Sequence, residues 1–199
     1  MLTLAADASL PLLSVALLDG PTLLGAVALQ GKGSRNEKLL PAIDWLFTEN
    51  NVDRHAIEIF AVTRGPGSFT GVRIGLATMQ GLAMALGKTV IAMSTHEAIA
   101  FGEGAGAPRR TLTVVDDAGR GEYYVSVFEN GIEIVAPHLA KEIPDVHLRP
   151  GDFNNVSIGC ARRAQQIVAA GEQDRYADVT PIYVRLAEAE VKLQQKRNE

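Results

Sequence analysis

Residues 64–75 read RGPGSFTGVRIG and set Gly65, Gly67, Gly71 and Gly75 among Pro66, Ser68, Thr70 and Arg73. Glycines at the opening of a helix let backbone N–H groups converge on an anion, so the first chemistry this block suggests is phosphate binding. Its spacing matches no nucleotide fingerprint. A G-x-x-x-x-G-K-[ST] loop needs a lysine followed by Ser or Thr, and Lys88-Thr89 ends a helical pattern and begins a strand, the reverse of the required order. The dinucleotide pattern G-x-G-x-x-G fails because Gly67 to Gly71 is one residue too long. Ser68 does not sit in G-x-S-x-G and reads as a helix N-cap shared with Thr70.

Asp7 and Asp117 end two strand-like runs and can bind Mg²⁺ or polarise a water; equally, strand-end aspartates close turns by accepting from backbone N–H groups. The run DDAGRGEYY adds Asp116, Arg120 and Glu122 beside Asp117, consistent with an electrostatic site or a hairpin turn. His55, His96, His138 and His147 include no i, i+4 pair, so no metal site is built from sequence-local histidines. Cys160, the single cysteine, excludes an internal disulfide and reads as a small buried hydrophobe in VSIGCARR.

The elements that must position these residues follow from periodicity. Residues 2–6, 12–18 and 22–30 read as strands with short connections, hence an antiparallel meander. Over 37–49, Leu39, Leu40, Ile43, Leu46 and Phe47 form one apolar helix face. A strand at 57–63 leads into the glycine block, and 71–86 is helical, with Val72, Leu76, Met79, Ala83 and Leu86 in one stripe and Gly87 as terminator. A strand at 89–93 and a helix capped by Ser94-Thr95-His96-Glu97 complete a βββαβαβα order, a mixed sheet with parallel crossovers. The helix at 71–86 carries Gly71, Gly75 and Gly81, each costing about 1 kcal/mol relative to alanine. Small residues at that spacing admit a close backbone approach, either by the protein's own sheet or by a partner's helix to which Met79, Gln80 and Met84 would contribute.

LTLAADA at 2–8 is answered by LTVVDDA at 112–118, each followed by a Ser-Val strand and a glycine turn. Duplication of a βββ unit follows, with the joint at GEGAGAP, 102–108. The expected domains are a first lobe over 1–103 and a shortened second lobe over 104–185 with a helix at 161–170. The charged tail at 186–199 reads as a solvated terminal helix or a frayed end, with packing on the first lobe as the alternative. Two such lobes outline an α/β actin-like, RNase H-like (ASKHA) fold, an analogy that by itself licenses no function.

At 199 residues, 47% hydrophobic, 21% charged and with a formal charge of −4, the chain is an ordinary globular composition rather than a stand-alone nucleic-acid binder. The N-terminal stretch has no basic residue before Lys32, and the uncharged run at 74–87 is too short to span a bilayer, so the expectation is a cytoplasmic protein without membrane contact.

TRGPGSFTGVRIGLATMQGLA, 63–83, resembles the TsaB (YeaZ) family, as do Asp7-Ala8-Ser9, Ser14-Val15-Ala16-Leu17-Leu18, Leu39-Leu40-Pro41-x-Ile43, Asp117 with Gly121-Glu122, and Pro181-x-Tyr183-x-Arg185. The resemblance implies a non-catalytic subunit of the machinery that installs threonylcarbamoyl on adenosine next to the tRNA anticodon. It implies pairing with the catalytic subunit TsaD alongside the ATPase TsaE, with tRNA reached only indirectly, and a homodimer through the same surface when alone. The implied contact residues are Leu39, Leu40, Ile43, Phe47, Gly71, Arg73, Gly75, Thr78, Met79, Gly81 and Leu82. Asp7, Ser9 and Asp117 become a vestigial phosphate loop, with no metal and no cofactor of the chain's own, ATP or ADP being placed at the junction with TsaD. Three departures stand out: Ala8 replaces the usual threonine, Arg35 or Asn36 replaces a histidine, and the second lobe is short. The competing reading is an enzyme, either an ATP-dependent phosphotransferase or metallopeptidase of the same superfamily, or an RNase H-like nuclease using Asp7, Asp44 and Glu49.

Overall fold

A computed structural model describes residues 1–30, 35–102, 111–145, 147–149 and 155–185. β1 (Leu2–Asp7), β2 (Leu13–Asp19) and β3 (Thr22–Leu29) pair antiparallel, as their short connections require. α1 (Arg35–Glu49) carries the chain to β4 (Ile59–Thr63), parallel to β1. α2 (Phe69–Ala85) carries it on to β5 (Val90–Met93), parallel to β4. The five-stranded sheet runs β3-β2-β1-β4-β5, the mixed order expected of the actin-like, RNase H-like architecture.

Period-2 alternation divides this sheet's side chains between two cores. Leu4, Ala6, Val15, Leu17, Phe60 and Val62 face α1 and α2, meeting Leu39, Leu46, Leu76 and Met79. Ala5, Ala16, Leu18, Ile59 and Ala61 face the other layer, built from α3 (Thr95–Gly102) and α4 (Val156–Ala169). Strands buried on both faces read as near-continuous apolar runs, which is why β1, β2 and β4 were legible in the sequence.

β6 (Thr111–Gly119), β7 (Glu122–Glu129) and β8 (Ile132–Ala140) form a second, antiparallel sheet in the order β6-β7-β8. Leu148 adds a parallel bridge at Val114. The second βββ unit therefore exists, with strands of 9, 8 and 9 residues against 6, 7 and 8 in the first. The joint at 103–110 and the tail at 186–199 lie outside the described residues.

The helix expected at 161–170 begins at Val156 instead. Gly159 lies where α4 crosses α3. A Cβ there would stand 2.0 Å from the Ala98 carbonyl oxygen and 2.8 Å from the Gly102 nitrogen, so the crossing demands glycine. α4 also lies on the first sheet, although a division at residue 103 places it in the second lobe. Its Ser157 N donates to Ser14 Oγ (3.2 Å), Asn155 Nδ2 to the Val27 carbonyl (3.2 Å), and Gln165 Nε2 to Thr3 Oγ1 (3.0 Å). The strand expected from 57 begins at Ile59, because Asp53 accepts from His55 N (2.9 Å) and turns 54–56 into a short 3-10 segment.

Candidate functional site

The glycine block packs against the loop between β1 and β2. Ser68 caps α2 by accepting from Gly71 N (3.2 Å), and Ser68 N donates to the Ser9 carbonyl (2.7 Å). Gly67, at φ +148°, would bring a Cβ 2.6 Å from that carbonyl. At Gly71 a Cβ would stand 2.0 Å from the Ala8 carbonyl oxygen. The positive end of α2, where an anion would sit, thus faces the chain's own carbonyl oxygens. At the other end, Gly87 at φ +65° stops the helix, with Lys88 N donating to the Ala83 carbonyl (2.8 Å).

Asp7 is fully buried at the end of β1. Its Oδ1 accepts from Ser9 N (3.2 Å), Ser9 Oγ (2.5 Å) and Thr63 Oγ1, while Ser9 Oγ and Thr95 Oγ1 are 2.9 Å apart. Oδ2 finds no partner among the described residues. Burial raises the Asp7 carboxyl above its ordinary range, outweighing those hydrogen bonds. Two hydroxyls, from the β1–β2 loop and β4, thus converge on this one acid, and Thr95 of α3 reaches it only through Ser9.

Asp117 does not join it. Its side chain is exposed and its Oδ1 accepts from Gly119 N (2.7 Å), the turn-closing role. The acid whose charge reaches Asp7 is Asp116, pushed up to about 6 by burial first, then by Asp117 and Asp7. The repeat aligned Asp7 with Asp117, but alternation along β6 turns Asp116 inward and Asp117 outward. Among the described residues no three His, Cys, Asp or Glu side chains are grouped to hold a metal. Asp44 and Glu49 of the nuclease reading are exposed on α1, apart from buried Asp7. Cys160 is buried in the core facing α3, its thiol pushed up by burial.

Two groupings escaped the sequence. His96 is buried, with Nδ1 2.7 Å from Ser126 Oγ on β7 and Nε2 without a partner among the described residues. An unpaired lone pair costs less than an unpaired N–H, so Nδ1–H is assigned as donor to Ser126. Burial lowers this imidazole to about 3. In the second grouping, Arg163 of α4 donates through Nε to Glu97 Oε1 (2.7 Å) and through Nη2 to Tyr176 Oη (2.8 Å), while Tyr176 Oη donates to Glu97 Oε1 (2.9 Å). The only sequence signal for either was a polar pair inside the apolar stretch STHEAIAF.

The outer layer, α1 and α2, sorts the expected contact residues. Leu39, Ile43, Gly71, Gly75 and Met79 are buried in the chain's own core and cannot offer a docking surface. For Gly71 and Gly75 the close approach is made by the protein's own β1–β2 loop and β4, the Gly75 Cβ position lying 3.4 Å from Ala8 Cβ and 3.6 Å from Val62 Cγ2. Leu40, Arg73 and Gly81 are exposed, Phe47, Thr78 and Leu82 are half-buried, and a Cβ at Gly81 would meet nothing within 4 Å. Between the two helices runs an apolar groove of about 510 Å³, lined by Leu40, Pro41, Phe47, Leu82, Ala85 and Leu86 over a floor of Ile43 and Phe60. Leu40, in its lining, is 50% exposed, whereas Trp45 and Met84, 52% and 79% exposed, stand elsewhere on the two helices. Exposed large apolar side chains grouped on one face mark an interaction surface.

Comparison with known proteins agrees with this geometry. Residues 32–188 match the family model described as TsaD, tRNA N6-adenosine threonylcarbamoyltransferase. The "tRNA threonylcarbamoyladenosine biosynthesis protein TsaB" of Bacillus subtilis (strain 168) is 27% identical over 96% of this chain and 97% of its own length. The protein of the same description from Escherichia coli (strain K12) is 33% identical over 66% of this chain and 58% of its own. Among solved structures, YeaZ from Pseudomonas aeruginosa superposes with a TM-score of 0.74 at 25% identity, covering 92% of this chain and 99% of that one. With its sheet order, its glycine block and its near full-length relatives in agreement, the chain belongs to the threonylcarbamoyltransferase family that the TsaD model describes, and within it to the TsaB (YeaZ) proteins.

Proposed function

We propose that this chain is a partner subunit in the threonylcarbamoylation of tRNA adenosine next to the anticodon, pairing its α1–α2 face with a TsaD-type transferase and performing no chemistry alone. The observation that carries this reading is the apolar groove between α1 and α2, with Leu40 exposed in its lining, on a chain that shares its family with TsaD. A partner built on the same fold presents the same two helices, so the faces can meet about a pseudo-twofold axis. A second copy offers that face too, which supports a homodimer when the transferase is absent.

The remnant phosphate loop supports the non-catalytic role. Ser9 and Thr63 engage the Asp7 carboxylate, and the Ser9 carbonyl takes the Ser68 amide. ATP or ADP is accordingly assigned to the junction with TsaD, TsaE to the assembled complex, and tRNA contact to the transferase.

Size-exclusion chromatography with a TsaD-type transferase at micromolar concentrations, with and without ATP, tests the pairing; two separate peaks in both conditions would overturn it. Gly81→Leu, placed on open surface, should keep the fold and abolish the complex. Gly75→Leu, driven into Ala8 and Val62, should unfold the chain first, as circular dichroism would report.

A further inference from the structure

The segment after the last 3-10 turn (Gln173–Tyr176) contains the Pro181-x-Tyr183-x-Arg185 motif, which the docking face does not use. It runs across the glycine block. Arg64, just past β4, donates from Nη1 to Asp178 Oδ2 and to the Thr180 carbonyl, each at 3.0 Å, and its own carbonyl accepts from Ile182 N at 2.7 Å. Gly65 is at φ +99°, and a Cβ there would lie 2.8 Å from the Ile182 carbonyl oxygen, so the crossing chain sits where any larger residue would stand.

One residue further, Tyr183 clamps the first turns of α2. Its Oη accepts from Arg73 Nε (2.7 Å), its ring stacks on Phe69 at 4.7 Å between centroids, and the Arg73 guanidinium lies 3.8 Å from the Phe69 centroid. Two residues on, the segment reaches the second sheet, where Arg185 Nη2 bonds to Glu122 Oε2 and to the Gly119 carbonyl (3.3 Å) at the β6–β7 turn. Both groups of that ion pair are under one-third exposed.

We infer that residues 178–185 are a latch that holds the β6–β7 hairpin of the second sheet to the start of α2 on the first, so that the pose of one is coupled to the other. Every anchor on the first side (Arg64, Gly65, Phe69, Arg73) lies within ten residues of chain, and every anchor on the second is at one turn, as a hinge clasp requires. The short span between Tyr183 and Arg185 leaves no slack to absorb movement of either end. Because Arg73 and Phe69 begin the helix that carries the docking face, the latch lies in series between that face and the second sheet. The inference stands on these contacts and does not depend on the docking reading.

Hydrogen exchange on the full-length chain tests it. Arg185→Ala should speed exchange at the β6–β7 turn about three- to tenfold while leaving β1 and β2 protected. The distinguishing variant is Tyr183→Ala, which touches only α2: through the latch it should also speed exchange at residues 119–122, and the double variant should add little to either single one. A charge swap, Arg185→Glu with Glu122→Arg, should restore protection of the turn. The inference is overturned if Tyr183→Ala acts on α2 alone, if Arg185→Ala leaves the turn unchanged, or if either variant deprotects β1 and β2 to the same extent as the turn.

Discussion

Gly71 and Gly81 lie on one helix with the same side chain and opposite surroundings. Gly71 presses on the Ala8 carbonyl, so Gly71→Ala should cost about 3 kcal/mol, whereas Gly81→Ala, meeting open space in a helix, should add about 0.5–1 kcal/mol. Urea denaturation of both variants measures the contrast, and equal effects would contradict it. His96 gives a second prediction. Its folded-state pKa of about 3 lies below the usual 6.5, so the native state prefers the neutral ring. That contribution is complete above pH 6.5 and is lost as pH falls toward 3, with about 2 kcal/mol gone by pH 5. Asp116, raised to about 6, acts with the opposite sign: its native state binds a proton more readily, so stability is gained as pH falls from about 6 toward 3.8. His96→Gln should therefore remove its opposing loss and leave stability rising, through Asp116, as pH falls from 8 to 5, whereas an unchanged pH profile would show that His96 does not titrate as its burial requires.

Elements were legible where one local rule decided them. The Ser94 cap is an example: its Oγ accepts from Glu97 N (2.9 Å), as the Ser-x-x-Glu spacing predicts. The reciprocal half was not legible, because the Glu97 side chain leaves its own helix for Arg163 and Tyr176. Glu97→Ala strands that guanidinium between α3 and α4 and should cost about 2–4 kcal/mol, while Tyr176→Phe should cost about 1 kcal/mol. Denaturation midpoints compared at constant m-value test both, and a Glu97→Ala loss under half a kcal/mol would assign the network no structural role. Gly159 shows the converse: periodicity alone counts a glycine against a helix, whereas here the crossing with α3 needs one.

At the scale of the whole molecule, no helix among the described residues is long and apolar enough to cross a membrane, and, as β8 does through Ile132, Ile134 and Val135, the α1–α2 face exposes apolar side chains. If two copies pair there, Met84→Asp or Leu40→Asp should shift the chain to monomer in light scattering without changing its melting temperature by more than a few degrees, since both side chains are solvent-facing. A dimer that survives both substitutions uses another surface.

The sequence by itself determined the order of strands and helices, the duplicated βββ unit and the identity of the glycine block, because periodicity, capping and turn chemistry act over a few neighbouring residues. Only the tertiary structure decided which glycines face inward, that Asp116 rather than Asp117 reaches Asp7, that α4 covers the first sheet, and that the last described residues clasp both sheets. Each of these depends on groups far apart in the chain meeting at one place, and no local spacing records that meeting.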